Sequence, residues 1–165
     1  MSDMAKGVGD FIADESRHER RLAVVMGWTY ITGQRKGSCH DYLAADGAKI
    51  EAKFDWDSIK TGNHYLEFAQ TNDNGDTWVD SGFTLSAQEA DYWVVVNDEW
   101  LRMLSVARVQ ELIETHRGKL RETRTRRGVN YNRPGQFSKA YLIPYDLLDQ
   151  YCLLKIPSPV QRRSA

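Results

Sequence analysis

Two carboxylates and one amine are spaced so that they could meet on one face of a β-sheet. Asp41 precedes a turn at residues 45–47, and Glu51 and Lys53 follow that turn. Side chains two positions apart on a strand share a face, so Glu51 and Lys53 project together. Two carboxylates on neighbouring strands suit Mg²⁺, which keeps several waters and takes further oxygens from phosphate. The set indicates metal-assisted phosphodiester hydrolysis, in which Lys53 could stabilise developing phosphate charge or orient or deprotonate the attacking water.

The geometry of the turn decides whether Asp41 joins this set. A two-residue turn at 46–47 would point Asp41 away from Glu51. A three-residue loop at 45–47 would place Asp41 opposite Glu51, at about 5 Å between Cβ atoms. Such a loop ends in a left-handed residue, and Gly47 stands at that position. We therefore expect the three-residue loop. The alternative interpretation of the set is an exposed cross-strand cluster, as is common on half-solvated sheets.

The elements that must position these side chains follow an α/β order. Apolar spacing predicts a helix over residues 11–26 that ends at Gly27. Residues 48–55 alternate, with Ile50, Ala52 and Phe54 on the core face. The other predicted strands are 38–44, 64–70, 92–96, 100–106 and 139–143, with 28–32 a strand or extended segment, and the other predicted helices are 107–116 and 145–151. This order predicts an α/β domain with a central mixed sheet.

Length and composition limit the class of protein. The chain has 165 residues, of which 41% are hydrophobic and 27% charged, as expected for one globular domain. We assign that domain to residues 11–157, with flexible termini at 1–10 and 158–165. The absence of a long apolar run argues against a membrane protein, and no apolar segment follows the first residues, which predicts a cytoplasmic location. The two cysteines lack the spacing of a disulfide framework or a zinc site.

Positive charge is concentrated in one segment. The formal net charge is −1, yet residues 117–133 carry seven basic side chains and one acid. A local basic segment on an otherwise acidic chain indicates contact with a polyanion. The alternative is a solvated loop. We read the segment as an arginine-rich loop.

The chain resembles the PD-(D/E)XK nucleases, the superfamily with the restriction-endonuclease-like fold. Asp41, nine intervening residues and Glu51-Ala52-Lys53 match its signature, with His40 where the family name has proline. Residues 60–68 resemble the "TGN-hydrophobic-E" segment of small phage-type endonucleases. Residues 81–94 resemble their "SG…ADYWV" stretch, and residues 139–144 resemble a common final strand. The resemblance covers residues 11–144 in order.

This resemblance implies a central four-stranded mixed sheet flanked by helices and Mg²⁺-dependent hydrolysis of DNA. Mn²⁺ is expected to substitute, and no organic cofactor is implied. Asp41 and Glu51 would hold the metal, and Lys53 would be the catalytic lysine. Many members add a glutamate from the first helix; Glu15 is the preferred candidate and Glu19 the alternative. Glu67 and Gln70 lie three apart on the strand 64–70, so we expect them on opposite faces, with Glu67 the better candidate for the site.

The same resemblance makes the basic segment a contact for DNA phosphates, through Lys119, Arg121, Arg124, Arg126, Arg127 and Arg133. A homodimer is expected because cutting both strands needs two sites. If the chain is phage-encoded, its location would be the host cytoplasm. The substrate stays open among a four-way junction, as in DNA recombination, a duplex site, a single strand and bulk phage or host DNA. The alternatives are a catalytically inactive DNA-binding or inhibitory protein on the same fold, and a protein-interaction module.

Overall fold

The chain folds into two β-sheets with helices packed against them. A computed structural model describes residues 17–31, 40–126 and 135–162, without the side chain of Arg126. Within these ranges there are ten strands and five helices, so the predicted α/β class is confirmed. The predicted mixed sheet is present with six strands, and four further strands form a second, antiparallel sheet that was not predicted.

The strands are β1 Thr29–Tyr30, β2 Tyr42–Leu43, β3 Lys49–Phe54, β4 Asn63–Thr71, β5 Val79–Asp80, β6 Tyr92–Val96, β7 Trp100–Ser105, β8 Arg121–Arg126, β9 Phe137–Pro144 and β10 Leu154–Pro157. The helices are α1, described over residues 17–26, α2 Ser58–Thr61, α3 Phe83–Ser86, α4 Val106–His116 and α5 Tyr145–Tyr151. The main sheet has the order β1-β2-β3-β6-β7-β10, and the second sheet has the order β5-β4-β9-β8. Among the described pairings, β3 with β6 is parallel and the others are antiparallel.

The apolar and the charged side chains of β3 lie on opposite faces of the strand. Ile50 and Ala52 are buried in a core under α1, as predicted, and Phe54 packs against that core. Glu51 and Lys53 lie on the opposite face of β3, the face on which Trp93 of β6 is buried in the core shared with the second sheet. Glu51 is consequently only 7% exposed, so it does not belong to a solvated surface cluster.

The segment predicted as an arginine-rich loop is partly a strand. Arg121–Arg126 pairs with β9 along its whole length as β8, at the edge of the second sheet. Thr123 and Thr125 alternate with charged residues there, and an edge strand tolerates such charges because they discourage further pairing. Arg127 and Arg133 lie outside the described residues.

A bulge in β4 changes which of its side chains share a face. The pairing of β4 with β9 shifts between Glu67 and Ala69. Glu67 is opposite Ala140 and Gln70 is opposite Ser138, two β9 residues that share a face. The extra residue in β4 therefore places Glu67 and Gln70 on the same face, and the expectation that they face opposite sides is wrong.

The C-terminal segment packs further than the sequence suggests. The predicted strand 38–44 is described only as β2, whereas β10 pairs with β7 without having been predicted. Beyond residue 157, the Ser158 amide donates to the Glu99 carbonyl at 2.9 Å, and Val160 is fully buried. In the described part of the chain, no helix combines the length and apolar character that crossing a membrane requires.

Gly82 provides a test of how closely α3 approaches β4. Its φ is +50°, and a Cβ there would lie 2.6 Å from the carbonyl oxygen of Glu67. Gly62 has a similar φ of +68°, but a Cβ at that residue would have no neighbour within 4 Å. We expect Gly82→Ala to lower the free energy of unfolding by about 3 kcal/mol and Gly62→Ala by about 1 kcal/mol, because only the first adds a backbone clash to the conformational strain. Urea unfolding of both variants measures the difference; equal losses would contradict the close approach.

Candidate active site

The β2–β3 turn has the three-residue geometry. The Ala44 amide donates to the Ala48 carbonyl at 2.9 Å, and Tyr42 is opposite Ile50. Gly47 closes the loop with a φ of +87°. The predicted three-residue loop is therefore confirmed. Beyond Tyr42 the register shifts by one residue, because the Asp41 amide also donates to the Ile50 carbonyl, at 2.8 Å.

The Asp41 side chain is fixed on the backbone of β3. Its Oδ2 accepts a hydrogen bond from the Ala52 amide at 3.0 Å. The Asp41 amide donates to the Ile50 carbonyl at 2.8 Å, so both the backbone and the carboxylate of Asp41 are bonded to β3, and the carboxylate satisfies an amide of β3 that would otherwise lack a strand partner. Asp41 is thereby held beside Glu51.

Glu51 and Lys53 form an ion pair at the boundary between core and solvent. The Lys53 ammonium donates to Glu51 Oε1. The Glu51 side chain is 9% exposed, whereas that of Lys53 is 41% exposed. The acid is therefore buried while its partner remains accessible from outside.

Burial and neighbouring charges move both pKa values upward. Burial raises the pKa of Glu51 to about 7; Lys53 opposes this rise, and the Asp41 charge adds to it. Burial alone would lower the pKa of Lys53, but the charges of Glu51 and Asp41, and then Glu67, outweigh it, so that this pKa is raised. Lys53 therefore stays an ammonium ion at neutral pH, between carboxylates.

The first helix brings one of its two predicted glutamates into this neighbourhood. Glu19 on α1 accepts a hydrogen bond from the Tyr30 hydroxyl. The pKa of Tyr30 is raised to about 12, first by burial, then by Glu19 and also by the Asp41 charge. The charges of Glu19 and Asp41 thus both raise the pKa of the Tyr30 hydroxyl. Glu15 lies outside the described residues.

A cavity of about 310 Å³ opens beside Lys53. Glu67, Tyr65 and Asp55 contribute to its walls, and Glu67 accepts a hydrogen bond from the Ser81 hydroxyl. Sequence reasoning identified Glu67 but missed Asp55 and Tyr65. Asp55 continues the i, i+2 series of Glu51 and Lys53, and this spacing could have indicated it.

The carboxylates fit a hydrated metal ion as a partial site. Among residues 17–31, 40–126 and 135–162, no group of three or more His, Cys, Asp or Glu side chains is arranged to hold a metal. Asp41 and Glu51 nevertheless supply two oxygen donors whose mutual repulsion helps raise the pKa of Glu51 to about 7. A divalent cation would relieve that repulsion, and Mg²⁺ is commonly held by one or two carboxylates with water completing its shell.

Strand alternation separates the predicted DNA-contacting arginines. Arg121 shares a face of the second sheet with Tyr65, because both are opposite Leu142 of β9. Arg124 lies on the other face, where its guanidinium stacks 4.0 Å from the ring centre of Phe137 and donates to the Asn74 carbonyl at 2.7 Å. The exposed Lys119 lines a cavity with Arg121. The Arg126 backbone belongs to β8, and nothing further is described for its side chain.

Comparison with known proteins finds no matching family model, no matching curated protein and no matching solved structure.

The raised pKa of Glu51 predicts a pH-dependent effect of Glu51→Gln. The pKa of about 7 in the folded chain lies above the ordinary value of 4.5, so the folded state favours the protonated acid. The stabilisation from that proton is present below pH 4.5 and is lost as the pH rises through 7. Glutamine imitates the protonated acid, so we expect the variant to unfold like wild type at pH 4.5 and to be about 2 kcal/mol more stable at pH 8.

Urea unfolding in EDTA at several pH values measures this gain. Glu111→Gln, on the exposed face of α4, is the matched control and should show no such pH-dependent gain. A Glu51→Gln variant that is less stable than wild type at pH 8 would contradict the conclusion that burial disfavours the charged form of Glu51.

Proposed function

We propose that this protein is a Mg²⁺-dependent endonuclease that hydrolyses DNA phosphodiester bonds. The observation that carries the proposal is the convergence of Asp41, Glu51 and Lys53, with Asp41 Oδ2 held at 3.0 Å by the Ala52 amide and Lys53 paired to Glu51. A buried acid beside a second acid could hold a metal ion, and the accessible ammonium could stabilise charge on a phosphate ester.

The topology of the main sheet supports a restriction-endonuclease-like core. Strands β1, β2 and β3 form an antiparallel meander, and β6 then adds parallel to β3. This is a mixed four-stranded unit with Asp41 immediately before its second strand and Glu51 and Lys53 on its third. The arrangement agrees with the fold that the sequence resemblance implies.

Asp41 and Glu51 would hold the metal, with Glu19 and Glu67 as additional acids near it. Bound there, Mg²⁺ would supply polarisation of the phosphodiester and a lower pKa for bound water. The fold itself holds Asp41 in position through the backbone of β3 and buries Glu51 away from solvent.

Lys53 acts as a cation in this proposal. Its raised pKa favours the ammonium form, which can donate hydrogen bonds to a phosphate oxygen as negative charge grows during attack by water. The alternative, in which Lys53 removes a proton from water, would need a neutral amine. Its 41% exposed side chain leaves it reachable by a phosphate.

Lys53→Ala should abolish cleavage while leaving the fold intact. Loss of one preorganised donor for transition-state charge costs about 100-fold or more in rate. The assay uses Mg²⁺ or Mn²⁺ with linear duplex, single-stranded, supercoiled and four-way-junction DNA, and circular dichroism confirms folding. Lys60→Ala removes a lysine whose side chain is 84% exposed and should retain full activity.

An active Lys53→Ala enzyme would overturn the assigned role. Wild type that shifts DNA on the gel but cleaves none of these substrates would favour the inactive DNA-binding alternative instead.

The face that carries Arg121 is the better candidate for DNA contact. Tyr65 on the same face lines the cavity beside Lys53, and its hydroxyl is bonded to Thr125 at 2.6 Å and Ser138 at 2.7 Å. Arg121 and Lys119 add positive charge to that side of the second sheet. The Arg124 guanidinium is already occupied by Phe137 and Asn74 on the opposite face.

Arg121→Ala should therefore weaken DNA binding in a salt-dependent manner. Each phosphate contact contributes about 0.9 to the slope of log K against log salt concentration, so we expect the slope to fall by about 1. Fluorescence anisotropy between 50 and 200 mM salt measures it, a range over which such contacts are strongly screened. Arg124→Ala should change the slope little; the reverse ranking would place DNA on the other face.

A further inference from the structure

We infer that Asp55, His64 and Trp93 form a buried chain that positions Lys53. None of the three was assigned a role in the charge cluster by sequence, and they connect the backbone at the end of β3 to the Lys53 ammonium. The catalytic consequence rests on the proposed function, whereas the positioning itself does not.

The chain consists of two consecutive side-chain hydrogen bonds. His64 Nδ1 lies 2.9 Å from Asp55 Oδ2, and the Trp93 indole Nε1 donates to His64 Nε2 at 3.2 Å. Because Nε2 accepts from the indole, the ring proton belongs on Nδ1, where it is donated to Asp55. His64 and Trp93 are each 1% exposed. With both nitrogens engaged, His64 is arranged to hold an orientation rather than to exchange a proton with substrate.

The far end of this chain is tied to the backbone. Asp55 Oδ2 also accepts from the Tyr65 amide at 3.2 Å, and the Asp55 amide donates to the Val96 carbonyl at 2.8 Å. Asp55 therefore joins the ends of β3, β4 and β6. A carboxylate held by several backbone groups provides a rigid acceptor for His64.

The near end of the chain is the face of the Trp93 ring. Trp93 is opposite Glu51 across the parallel pair of β3 and β6. The Lys53 ammonium lies 5.5 Å from the ring centre, within the range of a cation–π contact. Phe83 packs edge-on to the same indole at 5.2 Å between ring centres. Lys53 is thus held by Glu51 and by an aromatic face whose orientation the bond to His64 maintains.

This support matters because lysine is a long, flexible side chain. An ammonium that must meet a phosphate needs to stay near one position, and displacement of a catalytic group by about 1 Å can cost about 100-fold in rate. An ion pair with Glu51 alone fixes the distance to one oxygen but leaves rotation about it. The indole restricts that rotation, and Asp55 and His64 keep the indole from turning.

The test records the Lys53 side chain directly by carbon–proton NMR with ¹³C-labelled lysine. The Lys53 ε-methylene resonance is assigned by its disappearance in Lys53→Arg. We expect it displaced upfield by the ring current of Trp93, and we expect Trp93→Leu to abolish the displacement. His64→Phe should remove more than half of it, while His64→Gln, which retains one acceptor and one donor, should preserve it.

Trp100→Leu is the matched control, because the Trp100 ring carries a different lysine, Lys155, at 4.6 Å. That variant should move the Lys155 resonance and leave Lys53 unchanged. If His64→Phe does not fold, the wild-type displacement and its loss in Trp93→Leu still decide the matter. An undisplaced Lys53 resonance in wild type, or one that His64→Phe leaves untouched in a folded protein, would overturn the inference.

A kinetic measurement separates this inference from the proposed function. In a cleaving enzyme, His64→Phe should lower kcat by about 10-fold to 100-fold with KM unchanged, and His64→Gln should restore it. A displaced Lys53 resonance in a protein that cuts no DNA would remove the proposed function and keep the positioning. Cleavage with an undisplaced resonance would do the opposite.

Discussion

The burial of the Glu51 carboxylate is the constraint on which the rest of the site depends. An acid with 9% of its side chain exposed needs compensation, and the Lys53 ammonium provides it. Asp41, bonded to the Ala52 amide, adds a second carboxylate beside this one ammonium, and burial, with the Asp41 charge adding to it, raises the pKa of Glu51 to about 7. The site therefore holds two carboxylates and one ammonium, and it is accessible to solvent beside Lys53. Such a place is suited to a divalent cation and a phosphate, because each relieves the charge that the other brings.

The two sheets make this charge arrangement possible in different ways. The parallel pairing of β3 with β6 places Trp93 beside Glu51, so the face of the indole ring contacts the Lys53 ammonium. The second sheet contributes Glu67 and Tyr65 to the cavity wall and closes the other side of the core. The site consequently lies where the two sheets meet, so that the Glu51 carboxylate is buried while the Lys53 ammonium beside it remains accessible to solvent.

Local sequence signals predicted the part of the site that local geometry controls. Gly47 indicated the three-residue loop, and the alternation of β3 indicated which side chains share a face; together they placed Asp41 beside Glu51. The bulge after Glu67 could not be predicted this way, because the Phe68 carbonyl accepts from the Ser81 amide at 3.1 Å and the Thr84 hydroxyl at 2.9 Å, both distant in sequence. Strand β8 could not be predicted for a similar reason. Its charged residues are typical of a loop, and it forms a strand because it pairs with β9, which is distant from any local signal in its own sequence. The contacts of His64 likewise depend on three strands that only the tertiary fold brings together.

The most direct test of this account is the binding of Mn²⁺, followed by electron paramagnetic resonance, to wild type and to Asp41→Asn. Asparagine keeps an oxygen that can accept from the Ala52 amide, so the fold should persist while one anionic donor is lost. The account predicts saturable binding by wild type and its loss or severe weakening in Asp41→Asn. Equal binding by the two proteins, or none by wild type in the presence of DNA, would contradict a metal-dependent centre at Asp41, Glu51 and Lys53.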